Sequence, residues 1–86
     1  MYLVYTKPNC PFCVQAKALL QAKGLAFEEI HLDFGQDVPE GAKKMAVADF
    51  KAAHPQQKTA PMILRANEDV IEYVGGFTEL RASLAD

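Results

Sequence analysis

Cys10 and Cys13 are the only cysteines in the sequence, and they stand with Pro11 and Phe12 between them in TKPNCPFCVQAKALL, residues 6–20. Thiols at that spacing can be a staple, half of a metal site or a redox pair. A staple closing so short a loop would restrict the unfolded chain little. Zinc would need two more ligands, and the only histidines, His31 and His54, have none of the spacing of a finger or ribbon. Two inert cysteines at a helix start are a third alternative, because free cysteine packs like a small apolar residue. The flanking residues favour the redox pair. If a helix begins at Pro11, the proline takes the first helical position, where its missing N–H costs nothing, and Cys10 becomes the N-cap. There its sulfur can accept from the N–H groups of Phe12 and Cys13, while the helix dipole and Lys7 favour the thiolate. Such settings lower a thiol pKa from about 8.5 to roughly 3.5–7.5. Cys13, one helical turn further on, can bring its sulfur to that of Cys10. The expected chemistry is attack by the Cys10 thiolate on a substrate disulfide, followed by Cys13 attacking the mixed disulfide, with no metal or bound cofactor.

The elements around this segment are legible from pattern. Residues 2–5, Tyr-Leu-Val-Tyr, form a short apolar run suited to a central strand. Pro11 to Lys23 is rich in helix formers, with Phe12, Ala16, Leu19 and Leu20 on one face and Gly24 as a stop. Ala26 to Leu32 reads as a second strand, although its paired glutamates break strict alternation. Residues 33–41, DFGQDVPEG, read as a loop, and a second helix is expected from Ala42 to His54, ending before Pro55. Met62 to Arg65 and Val70 to Val74 form a hairpin around residues 66–69. After Gly75-Gly76 a last helix is expected, with Thr78 as N-cap and Leu80 and Leu84 facing inward. The order is β-α-β-α-β-β-α: an α/β fold with a four-stranded mixed sheet flanked by three helices, in one domain over residues 1–86. A C-x-x-C between the first strand and helix of such a pattern signals a thioredoxin-like redox site. In this arrangement His31 is a strand residue and His54 a helix-terminal residue suited to the negative end of the second helix, and neither is assigned to catalysis.

Composition narrows the function classes. At 86 residues, half of them hydrophobic and 23% charged, the chain has ordinary globular composition. A net charge of −2 and no Lys/Arg cluster leave no field for a phosphate backbone, so nucleic acid is not an expected partner. The opening MYLVYT lacks a basic leader and is far too short to cross a membrane, which places the expected protein in the cytoplasm, where a permanent disulfide is improbable.

Three segments together resemble the glutaredoxin family. TKPNCPFC resembles its Lys-x-x-Cys-Pro-Tyr-Cys site, KTAP at residues 58–61 its Thr-Val-Pro loop, and GGFTEL at residues 75–80 its Gly-Gly-Cys/Phe-Asp-x-Leu motif. The short start, the long stretch between the second and third strands and GGF are most similar to phage-type glutaredoxins, also called phage thioredoxins. The resemblance implies a thioredoxin-like fold and a cis peptide between Ala60 and Pro61. A cis bend there would turn the Ala60 backbone toward Cys10, to pair with an extended substrate. It further implies catalytic Cys10 and Cys13, and a substrate-binding set of Lys7, Phe12, Thr59, Ala60, Pro61, Gly76, Phe77 and Thr78. In the family the residue matching Lys7 and the amides after the Gly-Gly pair receive the carboxylates of glutathione, the electron donor. Two residues depart from the pattern. Thr78 stands where an acidic residue usually meets the glutathione amine, and Phe12 replaces Tyr, keeping the aromatic surface without its hydroxyl.

The activity so implied is a monomeric, glutathione-dependent reductase of protein disulfides and glutathione mixed disulfides. An alternative is a redoxin that takes electrons from a thioredoxin reductase and serves ribonucleotide reductase; absence of tryptophan removes the Trp-Cys-Gly-Pro-Cys thioredoxin signature, yet redoxins of that type also lack it. From a different class comes an iron–sulfur carrier, with two chains sharing a cluster through Cys10 and glutathione. Pro11 and the second thiol oppose it, because an internal disulfide competes for the ligand.

Overall fold

A continuous β-branched and aromatic run places β1, Tyr2–Thr6, at the centre of a sheet, and Val4 within it is wholly shielded from solvent. The computed structural model describes residues 1–57 and 60–85. After β1 come α1 (Pro11–Ala22), β2 (Phe27–Asp33), β3 (Lys43–Ala46), α2 (Val47–Ala53), β4 (Met62–Ala66), β5 (Ile71–Gly75) and α3 (Phe77–Leu84). The strands lie in the order β3-β2-β1-β4-β5. β1 runs parallel to β2, with Tyr2 opposite Phe27 and Thr6 opposite His31, and antiparallel to β4, with Tyr5 opposite Met62. β4 and β5 form the expected hairpin, whose turn is closed by the Asn67 N–H donating to the Val70 carbonyl at 2.8 Å.

Because strand side chains alternate between faces, the sheet builds two cores. Tyr2, Val4 and Ile63 meet Ala16, Leu20 and Leu80 of α1 and α3 on one face. Leu32 and Met62 meet Phe50 of α2 on the other, with Tyr5, Met45, Val47 and Leu64 packed around them. Full burial of a side chain such as Leu20 or Ile63 contributes about 1.5–3 kcal/mol. The α1 cluster therefore fixes the helix that carries both cysteines.

The helix ends show how α1 is aimed. Pro11 is its first residue, and Cys10 is the N-cap with extended backbone, φ −118° and ψ 95°. At the other end Gly24 takes φ +68°, its N–H bonds to Gln21 at 3.1 Å, and the Leu25 N–H bonds to Leu20 at 3.0 Å. This is a Schellman stop, which glycine adopts without the steric penalty of a side chain.

Two expectations are corrected. The sheet has five strands among the described residues, not four, because Lys43–Ala46 adds as β3 alongside β2 where a helix from Ala42 was expected. Ala, Lys and Met are good helix formers, but the open edge of β2 offers backbone pairing, Met45 joins the second core, and Lys43 pairs with Glu28 at 2.6 Å. Helix α2 consequently begins at Val47. The N-cap of α3 is Gly76 rather than Thr78, and the Glu79 carboxylate accepts from the Gly76 N–H at 3.2 Å. That contact is the half of a capping box that needs no side chain at the cap.

Candidate active site

Cys10 and Cys13 are joined by a disulfide at the first turn of α1, with their Cα atoms 5.3 Å apart. Cys13 is 2% exposed and Cys10 8%, so Cys10 is the more exposed residue of the pair. The Cys13 N–H donates to the Cys10 sulfur at 3.2 Å, whereas Phe12, the other expected donor, makes no such contact among the described residues. An N-cap sulfur that already accepts a backbone N–H is placed to gain from the same contact when it becomes a thiolate. The Ala60–Pro61 peptide is cis, and the Ala60 carbonyl oxygen lies 3.7 Å from the Cys10 sulfur.

The sequence-derived binding residues fall around three cavities. Phe12, Ala60, Pro61, Gly76, Phe77 and Thr78 line one of about 240 Å³, together with Glu79, and the rings of Phe12 and Phe77 are 6.1 Å apart. Lys7 and Ala60 line a second, of about 250 Å³, with an apolar floor that includes Phe34 and Phe50 and with Lys51 at its rim. Ala60 thus belongs to both. Thr59 lies outside the described residues. A third and larger cavity, about 620 Å³, opens behind the disulfide, where Lys7, Cys10 and Cys13 share walls with Thr6, Lys17, Glu29, His31 and Asp37. His54 caps the C-terminal end of α2 and packs its ring against Phe50 and Tyr5, at 5.2 and 6.1 Å.

Within the large cavity Glu29 is bound on three sides. Its carboxylate accepts from the Thr6 hydroxyl at 2.8 Å, pairs with Lys17 at 3.0 Å and faces His31 Nε2 at 3.6 Å. Burial alone pushes this carboxyl upward, but the Thr6 and Lys17 hydrogen bonds and the charges of Lys17 and His31 together hold it below its ordinary value. Sequence reasoning missed this cluster, along with Lys51 and Glu79. A signal was present: Lys17 follows Cys13 by four residues and so shares its helix face, while Glu29 follows Phe27 by two and so shares its sheet face.

Among the described residues, no group of three or more His, Cys, Asp or Glu side chains is placed to hold a metal ion. None of the described helices is long and apolar enough to cross a membrane.

Residues 3–71 match the glutaredoxin family model. Glutaredoxin 1 of Rickettsia bellii is 36% identical over 78 residues, which cover 91% of this chain and 70% of that protein. Glutaredoxin 3 of Escherichia coli K12 is 53% identical over 30 residues, about a third of either chain. The crystal structure of glutaredoxin 1 from Francisella tularensis superposes with a TM-score of 0.62 at 27% identity, over 95% of this chain and 88% of that one. The five-stranded mixed sheet with three helices is accordingly a thioredoxin-like fold.

Proposed function

The chain belongs to the glutaredoxin family, and from that premise we propose that it is a glutathione-dependent dithiol–disulfide oxidoreductase acting as a cytoplasmic, single-domain monomer. The observation that carries the reading is the Cys10–Cys13 bond at the N-terminus of α1, with the more exposed cysteine at the cap position and its sulfur beside the Ala60 backbone. In the reduced protein the Cys10 thiolate attacks one sulfur of a substrate disulfide, the other sulfur leaves as a thiolate that takes a proton from water, and a mixed disulfide remains. Cys13, adjacent in the first turn, attacks the Cys10 sulfur, loses its proton to solvent and expels the second substrate sulfur. The protein is left as the disulfide, and two glutathione thiols restore it with formation of glutathione disulfide.

Two of the three cavities, the one lined by Phe12 and the one lined by Lys7 and Phe34, support an assignment of substrate contacts. Lys7 and the N–H groups of Phe77 and Thr78 would receive the two carboxylates of glutathione, and the Ala60 backbone would pair with its cysteine unit. Phe12, Thr59, Pro61 and Gly76 complete the proposed set. Protein disulfides, among them that of ribonucleotide reductase, are the proposed larger substrates.

The deciding assay is turnover of a glutathione mixed disulfide with glutathione and its reductase, set beside turnover with a thioredoxin reductase. Activity with glutathione alone is expected; activity with the thioredoxin reductase alone would replace the proposed donor. Cys13→Ser should keep turnover of small glutathione mixed disulfides, which needs one thiol, and lose two-thiol reduction of protein disulfides. Loss of both would show that the two cysteines have been given the wrong roles.

A further inference from the structure

The cavity of about 620 Å³ is not used by the proposed substrate contacts other than Lys7, yet both reacting cysteines line it. The charged and titratable groups facing it come from each surrounding segment: Lys7 before α1, Lys17 on α1, Glu29 and His31 on β2, and Asp37 from the segment after β2. Lys7 and Asp37 make no ion pair among the described residues, whereas Lys17 and Glu29 are bound to each other at 3.0 Å. Their side chains are 29% and 22% exposed, so water screens them incompletely. Lys17 is one helical turn beyond Cys13 on the same face of α1, and the Thr6 hydroxyl at 2.8 Å fixes the carboxylate it reaches.

We propose that the Lys17–Glu29 pair sets the redox poise of Cys10 and Cys13: the ammonium favours the thiolates released on reduction, the carboxylate opposes them, and each holds the other's effect in check. Glu29 is a positioning residue, acting through Lys17 and through its field on the sulfurs without touching substrate. The inference rests on the reading of the cysteines as a disulfide-exchanging pair. The reaction affected is reduction of the Cys10–Cys13 disulfide by two glutathione thiols. One S–S bond breaks in the protein and one forms in glutathione disulfide, two electrons pass to the protein sulfurs, and the two thiol protons go to those sulfurs, or to water for any sulfur that stays a thiolate. A negative charge near the sulfurs weighs against the dithiol side; a positive charge weighs for it.

The test is a pair of variants whose effects must have opposite signs. Glu29→Gln keeps the shape and the Thr6 hydrogen bond but leaves Lys17 unneutralised. It should move Cys10 ionisation to lower pH, and should shift the equilibrium with glutathione toward the dithiol by about three- to tenfold, as expected for one partly screened charge. That range corresponds to about 14 to 30 mV. Lys17→Met leaves Glu29 unneutralised and should move both readouts the other way, and the double variant should return to within about twofold of the parent. Both single variants break the same ion pair and so lose stability in the same direction, which cannot imitate opposed redox shifts. Shifts of the same sign, or a change under twofold in a variant that still unfolds cooperatively, would overturn the proposal, and Glu29→Gln decides alone if Lys17→Met does not fold. Thiolate absorbance against pH needs no substrate. A parent protein that fails to exchange with glutathione would therefore overturn the proposed function while the charge effect could still be read.

Discussion

Replacing Gly75 and Gly76 by alanine, one at a time, should give very different results although the two residues are adjacent. Gly75 ends β5 at φ +122°, where L side chains are strained. A methyl group there would lie 2.9 Å from both Cβ and Cγ of Glu79 and 3.0 Å from Oε1. The Glu79 Cβ is fixed by the backbone of α3, so no side-chain rotation relieves the contact and the start of the helix must move. The backbone strain costs about 1–3 kcal/mol. Loosening the Gly76 N–H bond to Glu79 adds about 0.5–1 kcal/mol, the lower part of the usual range because that bond is exposed. Gly75→Ala should thus lose about 1.5–4 kcal/mol. At Gly76 the added methyl would meet the Pro61 carbonyl oxygen at 3.5 Å and Glu79 Oε1 at 3.8 Å, both ordinary contacts, and its φ of −100° suits any residue. Gly76→Ala should cost under about 1 kcal/mol. Urea unfolding followed by far-ultraviolet circular dichroism measures both. Because residues 76–78 form one wall of the cavity beside Pro61, KM for a glutathione mixed disulfide should also rise in Gly75→Ala. Equal stabilities for the two variants, within about 0.5 kcal/mol, would refute the account of how this wall is held.

Cys10→Ser should retain the cap, since a serine oxygen accepts the Cys13 N–H as well as sulfur does; compared with the reduced parent, its stability should change by less than about 1 kcal/mol while turnover of mixed disulfides disappears. Acid should expose the contribution of Glu29. Its folded pKa is depressed, so the stability it provides is complete above the ordinary value of 4.5 and is lost as pH falls through the lower folded value. Thermal unfolding between pH 6 and 3 should show a shallower acid decline in Glu29→Gln than in the parent, and parallel declines would contradict that assignment.

What the sequence disclosed best was local chemistry. Proline after cysteine at the mouth of a helical pattern placed Cys10 at the cap, and the position of Gly24 placed the stop, because both effects act within a few residues. The third strand was hidden for the converse reason. Nothing within Lys43–Ala46 prefers extended backbone, and it becomes a strand only because β2 presents an unpaired edge that lies beyond the reach of local sequence pattern. The glutamates that blurred β2 have separate explanations: Glu28, on the same face as Leu32, pairs with Lys43, and Glu29 faces α1 and its lysine. On each face of the strand a paired charge took the place of an apolar side chain. The cap of α3 was misplaced by two residues because Thr78 is the better capping residue by type, while the backbone freedom of Gly75 and the reach of Glu79 settle the turn earlier.

Ala60, which lines both the Phe12 cavity and the Lys7 cavity, has a consequence for inhibitor chemistry. Small fragments lodged on either side of it would each bind weakly, since neither hollow encloses a drug-sized molecule. A tether running over the single methyl group of Ala60 would turn the second contact into an intramolecular one, at an effective concentration in the millimolar range, and so multiply the two weak affinities without any new contact. A larger side chain at that position would sever the route and leave each half-ligand on its own.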